Sequence, residues 1–513
     1  MSKQNTAPTA TEAPDISALR AQREFKLNEY LRRGGESYPN NFKPNATAAQ
    51  LAAQYADPET YSQQALHDTP TPSYKLAGRI MLFRGFGKLI FARVQDSSGQ
   101  FQISLSIDAS GPEIFGLFND CIDIGDIVGV EGPVSRTNKG ELTLSVQNFT
   151  LLTKGLQPLP DKYHGMTDVE ARYRQRYLDL ITSPEVRATF VARSKAITAI
   201  RRFLDDNGFL EVETPVLQHQ AGGANARPFG THHNALDIPL NLRIAPELFL
   251  KRLLVGGFER VYELSRNFRN EGISTKHNPE FTMLEFYAAY GTREDAMDLM
   301  EEMLRHTVQY VTGGTVIPCG ETETIDFAKP FRRITMREAL LTMAGFTEAD
   351  LEHVDGLAAA AKAKGVPVPN PVHSYGELFQ LCFEELVEKQ LIQPTYIMDY
   401  PIETSPLVRQ IPGRPGWTQR AELYIAGREH GEFYSELNDP IDQRSRFERQ
   451  RENAKKGNDE AMPFDHDFLN ALETGMPPAL GVGLGIDRVA MLLANQPSIR
   501  DVILFPLLRP KAE

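Results

Sequence analysis

The sequence predicts an α+β protein in two folding units: a small N-terminal β-barrel, then a larger domain in which an antiparallel sheet is flanked by helices. Three observations predict it. Residues 74–152 hold five short β-like runs separated by turn signals. RVYELSRNFRN (260–270) and PEFTMLEFYAAY (279–290) alternate apolar with polar residues on either side of a basic loop, which makes a β-hairpin. Around this hairpin lie segments with helical period, among them 184–207 and RVAMLLAN (488–495).

Residues 1–16, opening MSKQNTAPTATEAPD, lack the basic start and apolar stretch of a signal peptide and are expected to form a disordered tail. Residues 17–70 form an N-terminal helical region. Its first helix, SALRAQREFKLNEYLRR (17–33), carries Arg20, Arg23, Lys26, Arg32 and Arg33 with few acids, and reads either as an RNA-backbone contact or as a solvated face. Residues 71–155 hold the five runs KLAGRIMLF, KLIFARVQD, QFQISLSID, DIVGVEGPVS and ELTLSVQNFTLL, with SSG and TNKG at two of the turns. Five short strands in this length point to an oligonucleotide-binding barrel, the OB-fold. The Pro/Gly-punctuated KGLQPLPDKYHG and the helical ARYRQRYLDLI make 156–182 an interdomain hinge. A helix from Pro184, stopped at Gly208, opens the main domain, 183–513. Ala-rich helical patterning over 335–390 interrupts that domain, and 417–439 resumes it before the last strand and helix.

Composition bounds the function. At 513 residues the chain has room for about two to four domains and a large core. No apolar run approaches membrane-spanning length, so a helical membrane protein is not expected. The net charge of −12 argues against a surface coated in basic residues, but a local basic patch is all that an RNA substrate requires. Cys121, Cys319 and Cys382 lie far apart without metal-ligand spacing, which argues against a disulfide framework or zinc ribbon and fits a reducing cytoplasm.

The densest chemistry lies in FRNEGISTKHNPEF (268–281). Side chains alternate along a strand, so Phe281, Met283, Glu285 and Tyr287 share one face and Thr282, Leu284 and Phe286 the other. The first face is mixed and site-like, the second is the one to bury. Arg269 and Glu271 point the same way on the first strand. If the hairpin floors a pocket, Arg269 reaches an α-phosphate as a fork of donors, His277 reaches the outer phosphates, and Phe281 offers a flat surface to a purine. An amphipathic surface hairpin with ordinary ion pairs is the alternative for a shorter match. GVGLG (481–485) lacks the G-x-G-x-x-G spacing and following acid of a dinucleotide loop.

FRNEGISTKHNPEF resembles motif 2 of the class II aminoacyl-tRNA synthetases, in the wording of the lysine branch rather than the aspartate or asparagine branches. GFLEVETPVL (208–217) looks like motif 1, which builds the dimer interface in that family, and GVGLGIDRVAML (481–492) looks like motif 3. Similarity continues through AGGANARPFGTHHNALD, RIAPELFLKRLLVGGFERVYE, SELNDPIDQ and RDVILFPLLRP, covering most of the chain from about Leu76 to Pro510. It is closest to the bacterial type.

The resemblance implies a class II synthetase catalytic domain behind an anticodon-binding OB-fold. It implies a homodimer without membrane attachment, and L-lysine, ATP and lysine tRNA as substrates, with Mg2+ bridging the phosphates. Arg269 and Arg488 become the catalytic arginines, and Glu271, His277 and Phe281 join them in binding ATP. Gly223, Glu247, Glu285, Tyr287 and Asn438 match the lysine-binding positions, Glu429 and Glu436 the metal positions, and Arg84, Phe91 and Gln102 the residues that read the central anticodon uridine. Lysine brings two ammonium groups, each needing an acid once stripped of water, which suits Glu247 and Glu285; which of them takes the ε-amine stays open. Some relatives carry an acid where this chain has Ile441. Two other functions compete: lysyl transfer to a protein side chain, whose enzymes lack the anticodon domain, and a catalytically silent RNA-binding paralogue.

Overall fold

The computed structural model describes residues 16–160, 166–372, 374–455 and 462–510, without the side chains of 453 and 454. The expected tail lies outside the described residues except Ile16, which starts the first helix. The chain divides into two compact units, Met1–Gly165 and Met166–Glu513.

In the first unit the five expected runs become seven strands: β1 (Tyr74–Phe86), β2 (Leu89–Gln95), β3 (Gln100–Ser106), β4 (Ile127–Gly132), β5 (Val134–Arg136), β6 (Leu142–Ser145) and β7 (Asn148–Thr153). They form one sheet in the order β5-β6-β3-β2-β1-β4-β7. The fourth run breaks at Pro133, which has no N–H for the ladder, and the fifth breaks before Asn148. Alternation decides the faces: Ile90, Ala92, Val94, Ile103 and Leu105 are wholly buried, while Phe91, Arg93 and Gln102 point away from that core. A helix at Ile107–Cys121, absent from the sequence reading, joins β3 to β4. The Gly111-Pro112 pair disguised it; Gly111, at φ 80, takes a kink that divides the helix.

The basic N-terminal helix, Ile16–Arg32, lies against this barrel and its cations are engaged. Arg23 donates to the carbonyls of Gly155 (2.5 Å) and Ile124 (3.0 Å), Lys26 pairs with Asp123 at 2.6 Å, and Arg33 with Asp120 at 3.0 Å. Arg20 and Arg32 pair with Glu24 and Glu29 on the helix itself. Beneath them Lys154 is fully enclosed, with its ammonium 2.7 Å from Asp123, 2.8 Å from Asp126 and 2.7 Å from the Cys121 carbonyl.

The second unit is built from β8 (Leu210–Glu211), β9 (Leu217–Gln218), β10 (Gly230–His233), β11 (Ile238–Leu242), β12 (Arg260–Phe268), β13 (Glu280–Ala289), β14 (Val316–Cys319) and β15 (Glu323–Asp326). β16 (Arg332–Thr335), β17 (Thr395–Pro401), β18 (Trp417–Ile425), β19 (Arg428–Ser435) and β20 (Ala479–Gly485) complete it. Its main sheet has eight strands in the order β16-β17-β18-β19-β20-β13-β12-β8, antiparallel except at the two ends, where β16 pairs with β17 and β8 with β12 in parallel. Helices Pro184–Asp206 and Arg293–Thr312 cover one face; Leu284, Phe286, Val482 and Leu484 meet Met297, Met300 and Leu304 there. The other face carries the cleft.

Residues 336–386 hold three helices with an apolar cluster of their own, between β16 and β17. In the region read as a hinge, Val169–Arg174 and Arg176–Thr182 are helical and fold with the second unit. Arg176, 1 % exposed, pairs with Asp179 at 2.6 Å and donates to the Leu504 and Arg500 carbonyls. Among the described residues no helix is long and apolar enough to cross a membrane.

Candidate active site

The floor of the cleft follows from β20. In ALGVGLG apolar residues alternate with glycines, so Leu480, Val482 and Leu484 enter the core while Gly481, Gly483 and Gly485 leave bare backbone on the opposite face. Across the ladder those glycines pair with Tyr287, Glu285 and Met283 of β13; Gly481 and Gly483 pair with Tyr434 and Glu432 of β19. The central strand adds no side chain, so the walls rise from its neighbours and a cleft of about 610 Å³ forms between them. A methyl on Gly481 would sit 1.7 Å from a Glu436 oxygen and 2.6 Å from the Tyr287 ring.

Ten of the expected residues line this cleft: Gly223, Glu247, Arg269, Glu271, His277, Phe281, Glu285, Tyr287, Glu429 and Arg488. β12 and β13 pair from Arg260↔Ala288 to Phe268↔Glu280, which places Arg269 just beyond the ladder and Phe281 just inside it. The Arg269 guanidinium lies 5.1 Å from the Phe281 ring centre, and its buried Nε has no hydrogen-bond partner among the described residues. Glu271 and His277 belong to the exposed loop between the strands. Arg488, in the first turn of helix Ile486–Leu493, pairs with the Glu429 carboxylate and donates to the Glu429 carbonyl at 2.6 Å. Burial works to raise the Glu429 carboxyl, but the charge and hydrogen bond of Arg488, with the charges of His430 and Arg420, together hold it below the usual carboxylate range.

Two buried acids with different partners share this cleft. Glu285 accepts from the Tyr287 hydroxyl at 2.9 Å, a neutral donor; burial, then the charge of Glu247, pushes its carboxyl well above the usual range. Glu247 already holds a cation: Lys251, one turn on in the helix Glu247–Val255, lies 2.6 Å from it and 2.6 Å from Glu436. Gly223, at φ +89, closes over this corner, where an added Cβ would meet the Glu247 Cβ at 3.0 Å.

Two expected residues stand back from the lining. Glu436 is 1 % exposed and, apart from its ion pair with Lys251, neither of its oxygens has a hydrogen-bond partner among the described residues; burial pushes its carboxyl to about 7 against the pull of Lys251. Asn438 donates its amide to the Met476 carbonyl at 3.2 Å. Among the described residues no three or more acids, imidazoles or thiols gather to hold a metal by themselves. One or two carboxylates beside an open cleft are still the donor set Mg2+ uses when phosphate oxygens complete its shell.

Three charged residues here escaped the sequence reading. Lys251 sits in the apolar ELFLKRLLV, where its i,i+4 spacing from Glu247 was the available signal. Arg420 and Glu432 line the cleft; Arg420 pairs with Glu422 and with Glu432 at 3.4 Å, and Glu432 also accepts from Tyr434. Nothing in their local sequence marks them, because strand pairing across β18 and β19 brings them together.

In the first unit Arg84 stands directly opposite Phe91 in the β1–β2 ladder, and Gln102 opposite Arg93 in β2–β3, which places Arg84, Phe91 and Gln102 on one outward face. Gln102 donates its amide to the Thr143 hydroxyl at 2.7 Å.

Comparison with known proteins agrees with this division. Residues 74–152 match the model of the OB-fold nucleic acid binding domain, and 168–509 that of the class II tRNA synthetases for D, K and N. The chain is 51 % identical over 502 residues to the lysine–tRNA ligase of Carboxydothermus hydrogenoformans, covering 98 % of this chain and 100 % of that one. It is 51 % identical over 498 residues to that of Pelotomaculum thermopropionicum (97 % and 96 % covered), and 50 % identical over 490 residues to that of Staphylococcus haemolyticus (95 % and 98 %). With its glycine-floored cleft, its two arginines and its separate barrel, the chain belongs to the class II tRNA synthetases of the aspartate, lysine and asparagine group.

Proposed function

We infer that this chain is a lysine–tRNA ligase, which activates L-lysine with ATP and transfers the lysyl group to the 3′ end of lysine tRNA. The observation that carries the choice of lysine is Glu285: a buried acid whose only hydrogen-bond partner among the described residues is a neutral hydroxyl, in the same cleft as Arg269 and Arg488. Such a carboxylate recovers the cost of its burial when a ligand ammonium meets it. We assign that contact to Glu285 and Tyr287, with Glu247, Gly223 and Asn438 completing the lysine site.

In the first step a lysine carboxylate oxygen bonds to the ATP α-phosphorus and the bond to pyrophosphate breaks. In the second a ribose hydroxyl of the tRNA attacks the lysyl carbonyl and AMP leaves. The residues work by position and charge. Arg269, with its Nε free, meets the α-phosphate; Phe281 and Arg488 bracket the purine; Glu271 and His277 reach in from the loop. Mg2+ would be held by Glu429 and would neutralise charge on the phosphates; Glu436, expected beside it, lies past the other end of β19 on Lys251. Arg84, Phe91 and Gln102 read the anticodon, where an aromatic face stacks an unpaired base and polar groups meet its edge.

We further propose a homodimer in the cytoplasm. Leu210, Val216 and Leu217 of the motif 1 segment are exposed at 49, 38 and 50 %, an apolar surface suited to a second copy. The three cysteines are unpaired. Lysine-dependent exchange of pyrophosphate into ATP, followed by charging of lysine tRNA, tests the function. Exchange without charging would favour another lysyl acceptor, and no exchange would favour a silent RNA-binding protein.

A further inference from the structure

The barrel carries a second aromatic that the reading above does not use. Phe86 ends β1 at the tip of the β1–β2 hairpin, opposite Leu89, and is 62 % exposed. It lies two residues beyond Arg84, so it shares the outward face with Arg84 and with Phe91. Its ring centre is 6.4 Å from that of Phe91, with the planes at 67°.

The tip is shaped to present this ring. Gly85 and Gly87 flank it; an added Cβ on either would meet nothing within 4 Å, and Gly87, at φ +63, supplies the turn. Arg84 and Lys88 stand on either side, and no ion pair engages them among the described residues. In a chain of net charge −12 that combination of open aromatics and free cations suits a polyanion whose bases are unstacked. A lone exposed phenylalanine signifies little. This one makes an edge-on contact with the ring proposed to stack a base.

We propose that Phe86 is a second stacking platform, which takes an unpaired tRNA base next to the one on Phe91. The inference rests on the anticodon reading of the barrel. Planes 67° apart cannot both lie parallel to one base, so the two rings take different bases, splayed from one another as in a single-stranded loop.

The test uses the full-length chain with Phe86→Ala, Phe86→Trp and Phe91→Ala, charging intact lysine tRNA and tRNAs made abasic at each anticodon-loop nucleotide in turn. Phe86→Ala should lower kcat/KM for tRNA by about 5- to 150-fold with an unchanged Tm, and Phe86→Trp should retain most of the activity. One abasic position should cancel the Phe86→Ala effect, and a different one the Phe91→Ala effect. Charging by Phe86→Ala within twofold of wild type would overturn the proposal; so would a single abasic position that cancels both effects, since Phe86 would then only buttress Phe91. If Phe91→Ala itself charges normally, the anticodon reading falls and this inference falls with it.

Discussion

Among the described residues each unit contains one fully enclosed lysine held between two carboxylates, yet the two cages differ in what they leave open. Around Lys154 the acids are saturated: Asp126 also accepts the Asp123 and Gly155 amides, at 2.7 and 2.9 Å, and the Cys121 carbonyl takes part of the ammonium. Around Lys251 they are not. Glu436 receives nothing else, and Glu247 opens onto the cleft. A saturated cage ties loops together. An unsaturated one keeps acidic capacity beside a ligand site, fixed in place by a cation that never leaves. The same buried triad thus serves structure in one unit and, on our reading, substrate positioning in the other.

Removing each ammonium is the strongest way to break this comparison. Lys251→Met strands the buried Glu247 and Glu436, while Lys154→Met strands the buried Asp126 and leaves Asp123 to Lys26; each should cost roughly 3–5 kcal/mol in urea unfolding. Only Lys251→Met should also raise KM for lysine, by about tenfold or more. Equal KM values in the two variants would make both cages purely structural.

Glu285→Gln comes next, keeping shape while removing the charge meant for the ligand. Lysine-dependent pyrophosphate exchange should fall by about two to four orders of magnitude, with ATP affinity far less affected. The pH dependence has a definite sign. Because burial, then Glu247, raises the Glu285 carboxyl in the free protein, an arriving ammonium draws the group back toward ionisation and a proton is released. Lysine affinity should therefore rise with pH above the ordinary carboxylate range, and calorimetric enthalpies should vary with the buffer's ionisation heat. Glu285→Gln should lose both effects. For stability the sign reverses: above that range the unfolded chain sheds a proton that folded Glu285 keeps, so this group's contribution to stability falls as pH rises.

Gly481→Ala sharpens the role of the floor. Its methyl meets Glu436 and Tyr287, so overpacking should cost about 1–3 kcal/mol and displace both residues, raising KM for lysine more than that for ATP. The smallest effects belong to the N-terminal helix. Arg20→Ala and Arg32→Ala should change stability by less than about 0.5 kcal/mol, since their partners are surface acids. A weaker, less salt-dependent affinity of either variant for tRNA would restore this helix as an RNA contact.

Local periodicity made much of the fold legible. The two hairpin strands, the burial of Leu284 and Phe286, and the apolar-glycine alternation of β20 all follow from side chains that alternate across a sheet. Cleft residues placed by their own strand or loop, such as Arg269 and Glu285, could be located from sequence for the same reason. Lys251, Arg420 and Glu432 could not, because their partners come from other strands or helices, and a lysine in ELFLKRLLV reads as a surface residue until Glu436 is seen beside it. The helix at Ile107–Cys121 was lost to the Gly-Pro signal inside it. The cations of the first helix were legible as charge but not as barrel contacts, since Gly155 and Ile124 offer only backbone carbonyls.

The loop joining β12 to β13 has its own economy of bonds. Ser274 accepts the Lys276 and His277 amides at its hydroxyl and donates its own amide to the His277 carbonyl; beyond that closure, the Ile499 amide reaches Thr275 and Lys276 lies 3.6 Å from Glu388. The flanking strands are held by the ladder between them, and β13 also by its ladder with β20. Opening the loop is therefore a local event, cheap beside unfolding the sheet, and its backbone amides should exchange with solvent long before those of Leu284 or Phe286. On the reading proposed above, a nucleotide can thus gain or lose the reach of Glu271 and His277 while the floor beneath it stays rigid.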